Sequence, residues 1–563
     1  MAAAAAAEPH PAAAAPAAAA APNVFVAPPP TFWTRLRSLW IPTSAQALHD
    51  AERRTFDSID PSYPFDSRMV PVGPDASMAD DPQRWEINTL TIRNPRLEAA
   101  QGGRDEAPLV LLHGFGAGIG LWVSNYNSLA SEFSTVHAID MLGWGRSARV
   151  DFETMLRRRI KSGNLKALLK SVKPASKSVE DVARAEAQGK EAYERAVATI
   201  AEDFTVDSLE RWRVAMGLER MTLTGHSMGG YLAAAYALKY PDRVQSLVLA
   251  SPIGVPHKKE LDVSHWSGSA KAMISLVRGL WWGVNVTPQS IVRFMGRMGT
   301  RPVSGYVNRR FASSEEELAE REANPRGQAR KASKKPEQGT KDAPVPASAA
   351  SSSPAAASVS PASDPAAPLA SVDPAVDPSS IDLAVGEEHH SVGGPSLEMD
   401  GAEVAAKISA HSGSLFDKSI VSEYLYHICA QPGSGEFAFA KLFDQSGFAH
   451  KPLIESLPSI SRGMPDPAVA AHPAAAPVHR VPITFLYGTH DWMDESAGRA
   501  TAARIQSAGG LAQVLLVPRA GHQLFIDNPK GFLDVLKQAY AFGRPQRQQQ
   551  QQQQQQPMQQ QDQ

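Results

Sequence analysis

Residues 225–230 read Gly-His-Ser-Met-Gly-Gly, at the point where an apolar run, 221–224, gives way to a helical stretch that stops at Pro241. No other stretch of the chain restricts the fold as tightly. A serine with glycine two positions away on each side, between a strand and a helix, demands a sharp turn. There the backbone approaches itself too closely to tolerate a Cβ. Ser227 would project from the N-terminus of the helix, where unpaired N–H groups and the dipole favour developing negative charge. The bland alternative is a glycine-rich turn holding an incidental serine.

The surrounding text agrees with the turn. Residues 88–92 alternate, 109–112 are an apolar run ending in His113-Gly114, and 121–133 read as a helix leading to a strand at 135–140. Further strands are predicted at 221–224, 244–250, 483–487 and 514–517. Helices are predicted at 206–216, at 228–240, from about 495, and over 528–542. Buried strands separated by helices mean an α/β chain with a mostly parallel sheet covered on both faces. Between residues 253 and 480 the alternation stops, and the block begins and ends in helical text (270–298 and 419–443). An insertion between two core strands can cover the carboxyl edge of the sheet, so this block is read as a helical cap.

Length then needs composition to interpret it. The chain has 563 residues, but its 44 prolines and 40 glycines are clustered. The Ala/Pro start (1–30), the charged then Ala/Ser/Pro-rich stretch at about 313–412, and the Gln-rich tail (544–563) carry too few large apolar side chains to offset the entropy of ordering. The expected organisation is a low-complexity start (1–30), a helical or interfacial segment (31–86) and a first core part (87–252) with a basic insertion at about 151–191. The cap (253–480) encloses the 313–412 stretch, which is expected to be protease-sensitive, and a second core part (481–543) precedes the tail. A formal charge of −2 does not suggest a nucleic-acid binder. The single cysteine, Cys429, excludes an intramolecular disulfide and a multi-cysteine metal site. No run of about eighteen apolar residues crosses a membrane. Residues 1–40 hold one acidic residue, Glu8, and no early basic charge. A secretory signal is therefore not expected, and mitochondrial targeting and plain low complexity both stand.

A lone serine is a weak nucleophile and needs a base held in the right tautomer. Asp491 follows the strand at 483–487, and His522 follows the next strand, so both fall at strand carboxyl ends with Ser227. Asp494 is the rival acid, and the alternative for either aspartate is a helix N-cap. His490 shares the acid's loop and is not expected to be the base. The oxyanion donors would be the N–H of Met228 and, from the loop 113–118, that of Phe115. His113 and His226 sit inside tight glycine turns and are read as structural hydrogen-bonders.

Six stretches carry a family resemblance: residues 39–44 (Leu-Trp-Ile-Pro-Thr-Ser), 113–118, 140–147 (Asp-Met-Leu-Gly-Trp-Gly-Arg-Ser), 225–231, 422–427 (Ser-Glu-Tyr-Leu-Tyr-His) and 521–529. They resemble the α/β-hydrolase superfamily, in particular the subfamily of the lipid-droplet lipase co-activator and lysophosphatidic-acid acyltransferase, whose fungal branch includes a mitochondrial cardiolipin-specific deacylase. The resemblance implies the α/β-hydrolase fold with an inserted cap, and no cofactor or metal. It also implies a serine acyl hydrolase acting on phospholipid or lysophospholipid esters, in mitochondria at the inner membrane or at cytoplasmic lipid. Acyl-CoA-dependent transfer to lysophosphatidic acid is one alternative and a non-catalytic lipase-regulating scaffold is another. His522 and Asp527 read H-x-x-x-x-D, a spacing associated with acyl transfer in that subfamily. Asp527 also stands just before the last helix, where it is expected to cap free N–H groups. A peripheral phospholipid surface is the expected partner. Trp33 and Trp40 flank Arg35 and Arg37 as interfacial anchors do. Arg157, Arg158 and Arg159 lie in a basic, apolar insertion that reads as binding anionic lipid, or equally as a solvated basic face.

Overall fold

The structure is a computed structural model that describes residues 40–100, 107–173, 175, 178–258, 286–310, 418–444, 446–462 and 481–542. The Ala/Pro start, Trp33, the 313–412 stretch and the Gln-rich tail lie outside the described residues.

Eight strands form one sheet: β1 Phe65–Pro71, β2 Glu86–Arg93, β3 Leu109–Leu112, β4 Thr135–Ile139, β5 Met221–His226, β6 Val244–Ala250, β7 Ile483–Gly488 and β8 Ala512–Val517. Their order is β1-β2-β4-β3-β5-β6-β7-β8. The β1, β2 and β4 contacts are antiparallel, and every pairing from β4 to β8 is parallel. Period two divides the apolar residues between two cores. In β3, Val110 and Leu112 point to the face carrying Phe204, Trp212 and Tyr236, while Leu109 and Leu111 point to the face carrying Trp122, Phe525 and Phe532. This is the α/β-hydrolase fold expected from the sequence.

Several elements differ from the expectation. The 31–86 segment contains the helix Ala45–Phe56, but also β1, an edge strand buried only at Val70. Strand β2 is buried at six successive residues rather than at alternate ones. Its polar side chains are satisfied there: Trp212 Nε1 donates to Thr89 Oγ1 at 2.9 Å, and Thr91 Oγ1 lies 2.9 Å from His137 Nδ1. The helix expected at 206–216 runs from Val179 to Ala215, and its first half is mostly solvated. The basic insertion folds into the helix Phe152–Ser162, where Asp151 caps the N-terminus by accepting from Thr154 N at 3.0 Å. Arg158 pairs with Asp80 and Arg159 with Asp75, while Arg157 donates to Thr154 Oγ1 at 3.0 Å. Two of the three arginines expected to meet anionic lipid are thus answered by carboxylates of the same chain. No helix among the described residues is long and apolar enough to cross a membrane.

The chain leaves the sheet after β6 and returns at β7, and these two strands pair directly, Leu247 beside Ile483. The described parts of the cap include the helices Pro288–Met295, Thr300–Arg310, Lys418–Ala430, Gly435–Ala440 and Leu453–Ser456 and the short turns Gly296–Gly299 and Leu457–Arg462. Beneath one side of it lies a buried charged knot. Asn88 Nδ2 donates to Glu52 Oε2 at 2.9 Å and to Asp140 Oδ2 at 2.7 Å, and Arg146 reaches Glu52 Oε1 at 2.7 Å. Asp140 also accepts from the backbone of Ile119 and Arg146, both at 2.8 Å. The 140–147 stretch therefore ties the loop after β4 to the loop after β3.

Candidate active site

The glycine spacing around Ser227 is explained atom by atom. A Cβ on Gly225 would collide with the carbonyl of Gly229, and one on Gly229 would lie 2.6 Å from the carbonyl oxygens of both Leu112 and His113. Ser227 itself has φ +52°, a left-handed conformation rare for a residue with a side chain. Its N–H is held by Ala250 O at 2.9 Å, and the helix Met228–Lys239 starts at the next residue.

The structure brings Ser227, His522 and Asp491 together from the ends of three strands. Ser227 Oγ lies 3.1 Å from His522 Nε2. The other ring nitrogen, Nδ1, is 3.4 Å from Asp491 Oδ1, at the long edge of hydrogen-bond range. That nitrogen is buried and has no nearer partner. Burial would raise the Asp491 carboxyl, but the His522 imidazole, Ser251 Oγ and the N–H of Met493 outweigh it and hold the group below the usual carboxylate range. Asp491 is an anion at neutral pH, aimed at the histidine.

The rivals have other work. Asp494 caps the helix Glu495–Ser507, accepting from Ala497 N at 3.1 Å. His490 is exposed and its Nδ1 lies 3.2 Å from Thr489 Oγ1. His113 Nδ1 donates to Gly114 O at 2.7 Å, and its Nε2 accepts from Met141 N at 3.2 Å. That bonding assigns one neutral tautomer, and burial holds its pKa below the usual histidine value. His226 Nε2 donates to His522 O at 2.9 Å, and burial pushes its pKa down to about 3. Both are neutral posts that brace the loops. The Cys429 thiol is pushed up to about 12 by burial, with Glu436 adding to it, so it offers no competing thiolate.

The loop 113–118 lies against the nucleophile: a Cβ on Gly114 would sit 3.5 Å from Ser227 Cβ. The ring of Phe115 stands among Trp144 (centroids 5.1 Å apart) and Phe439 of the cap (4.7 Å), giving the site an aromatic wall. Met228 opens the following helix, so both expected oxyanion donors belong to segments that border Ser227.

Asp527 requires a correction. It does not cap the last helix; Asn528 does, with Oδ1 accepting from Gly531 N at 2.8 Å. Asp527 Oδ2 instead accepts from Gly521 N at 2.9 Å and so holds the turn that carries His522. Three participants were not foreseen. Ser251, the residue after β6, donates to Asp491 Oδ2 and has φ +46°. Trp492 lies with its ring centroid 4.7 Å from that of His522. Gln523 Nε2 donates to Tyr306 Oη in the cap at 3.0 Å, joining the histidine turn to the cap. Nothing in the local sequence singles out these three. Among the described residues no group of three or more His, Cys, Asp or Glu is arranged to hold a metal ion.

A family model described as alpha/beta hydrolase fold matches residues 107–273. A probable 1-acylglycerol-3-phosphate O-acyltransferase of Oryza sativa subsp. japonica is 27% identical over 502 residues, covering 88% of this chain and 80% of that protein. A (lyso)-N-acylphosphatidylethanolamine lipase of Bos taurus is 26% identical over 460 residues, covering 81% of this chain and 84% of that protein. The human 1-acylglycerol-3-phosphate O-acyltransferase ABHD5 is 38% identical over 157 residues, 28% of this chain and 33% of that protein.

Proposed function

Because this chain belongs to the α/β-hydrolase superfamily, we propose that it is a serine hydrolase of fatty-acyl esters in phospholipids or lysophospholipids. The observation that carries the reading is the line Ser227 Oγ, His522 Nε2, His522 Nδ1, Asp491 Oδ1, with spacings of 3.1 and 3.4 Å across its two gaps. Ser227 Oγ attacks the ester carbonyl while His522 Nε2 takes its proton. Asp491 keeps the remaining ring proton on Nδ1 and stabilises the imidazolium. The N–H groups of Met228 and Phe115 receive the charge that develops on the carbonyl oxygen, and pre-set donors of this kind are worth about 3 kcal/mol each. His522 returns the proton to the leaving lysolipid or glycerol oxygen. A water, activated by the same histidine, then cleaves the acyl-enzyme.

Fluorophosphonate labelling tests the nucleophile. The wild type should label and Ser227→Ala should not, while His522→Ala should lose several orders of magnitude in hydrolysis. A folded Ser227→Ala protein with wild-type turnover would sink the mechanism, and a wild type that never labels would return the scaffold alternative. Incubation with a mixed phospholipid extract that includes cardiolipin, followed by mass spectrometry, then identifies the substrate.

A second reading rests on the acyltransferase names of relatives that span most of the chain. The same acyl-enzyme could pass its acyl group to the hydroxyl of a lysophospholipid in place of water. Asp527 is engaged by the backbone of the histidine turn, so on this reading too the histidine alone carries the proton. Loss of acyl-CoA-dependent transfer in Asp527→Asn, with hydrolysis preserved, would give Asp527 a catalytic role and make acyl transfer the primary activity.

A further inference from the structure

The cap presents two opposite sides. Its inner side meets the site: Gln289 is 3% exposed, and a Cβ on Gly116 of the loop after β3 would lie 3.0 Å from Gln289 Nε2. Beside it, Thr287 Oγ1 donates to buried Glu436 at 2.8 Å, and Arg293 pairs with the same carboxylate. The outer side is the reverse. Phe294 is 82% exposed and Ile291 49%, three residues apart on the helix Pro288–Met295, and Met298, 55% exposed, lies in the short turn Gly296–Gly299 that follows it. Trp40, 56% exposed, lies across the end of that helix, with Nε1 donating to Phe294 O at 3.0 Å. Residues 286–310 include no Asp or Glu. Arg297 and Arg301 are exposed on this segment and pair with no carboxylate among the described residues.

We propose that Trp40, Ile291, Phe294 and Met298, with Arg297 and Arg301 beside them, form the surface by which the protein docks on an anionic phospholipid bilayer. An apolar cluster of this kind with a basic rim is what an interfacial helix presents to headgroups and acyl chains. The surface is the outer side of the same helix whose inner side lies on the loop beside Ser227, so docking turns the roof of the site toward the bilayer. Residues 286–310 carry basic charge and no Asp or Glu, so the rim of the cluster complements anionic headgroups, and that favours lipid as the occupant. Membrane contact thus shifts from the insertion at Arg157–Arg159, whose charges are largely answered internally, to the cap. This inference rests on the phospholipid-ester reading above.

The test is co-sedimentation of the full chain with phosphatidylcholine vesicles and with mixed phosphatidylcholine–phosphatidylglycerol vesicles. The variant Ile291→Ser/Phe294→Ser/Met298→Ser should lose about tenfold or more in partitioning to both. Arg297→Gln/Arg301→Gln should lose about tenfold on the mixed vesicles at low salt and little on phosphatidylcholine alone. Neither variant should change hydrolysis of a short, water-soluble ester or the melting temperature. Phe294→Ser alone, at a site so exposed that folding is not at stake, should reproduce part of the loss. Undiminished partitioning of the triple variant overturns the inference. So does a dimer that dissociates in the triple variant while vesicle binding persists, which would make the patch a contact between copies. Vesicle binding that follows these expectations while the wild type never labels with fluorophosphonate would instead strike the hydrolase reading.

Discussion

Gly521 gives its N–H to Asp527 one residue before His522, and that bond, with the one from His226 Nε2 to His522 O, holds the turn that carries the imidazole. Asparagine can still accept it, and alanine cannot. Asp527→Asn should therefore keep ester hydrolysis within a few-fold of wild type. Asp527→Ala should lose about 1 kcal/mol of stability and lower kcat more than it raises KM. Melting curves and steady-state kinetics on the pair check this. Equal kinetic loss in both variants would contradict a purely positioning role. Ser251 acts one bond further out, donating to the Asp491 oxygen that does not face the histidine. In Ser251→Ala, Asp491 keeps only the His522 and Met493 contacts, so its pKa should rise toward the ordinary carboxylate value. The titration midpoint of the Asp491 carboxyl, followed by NMR, should then move upward, and an unmoved midpoint would mean that Ser251 does not tune the acid.

At the scale of elements, the turn at Ser227 depends on missing side chains. Gly225→Ala places a methyl into the Gly229 carbonyl. It should cost about 3 kcal/mol or more, read as a fall in melting temperature with loss of labelling. The turn was legible in sequence because that packing leaves glycine no substitute. The positions of the parallel strands were legible for a related reason: they are buried on both faces and so read as apolar runs, whereas their order in the sheet was not read from the sequence. Strand β1 escaped because an edge strand with one buried residue carries no pattern. The first half of the helix Val179–Ala215 escaped because it is solvated and buries little along any face. Ser251 escaped because its partner is 240 residues away, brought alongside only by the pairing of β6 with β7. A further tie of this type joins three elements: Tyr231, four residues past Ser227, donates to Glu202 Oε1 at 2.5 Å, and Lys451 of the returning cap pairs with the same carboxylate. Tyr231→Phe should cost about 1 kcal/mol and Lys451→Met about 2, measured by chemical denaturation.

For the molecule as a whole, the knot at Glu52 predicts how stability follows pH. Burial, with Asp140 beside it, raises the Glu52 pKa to about 8, against 4.5 for an unconstrained glutamate. A carboxyl raised in the folded state binds its proton more tightly there than in the unfolded chain. Its contribution is full below about pH 4.5 and is lost as pH rises toward about 8. Glutamine mimics the protonated form and does not titrate. The melting temperature of Glu52→Gln, relative to wild type, should therefore climb across that window and level off above it. A constant difference would place the proton elsewhere in the knot.

The path of the chain through the sheet also sets a clock. Ser227 precedes His522 by 295 residues, and β6 waits for β7 until the whole cap has been made. At ordinary synthesis rates the interval is roughly 15 to 60 s. Throughout it the serine exists without its base, and the open edge of β6 has no neighbour. A ribosome-bound chain stalled before β7 should be inert toward fluorophosphonate, and it offers chaperones an unpaired parallel edge. On the proposed reading the catalytic line can close only after His522 has been translated, so a chain stopped short of that residue should show no fluorophosphonate labelling.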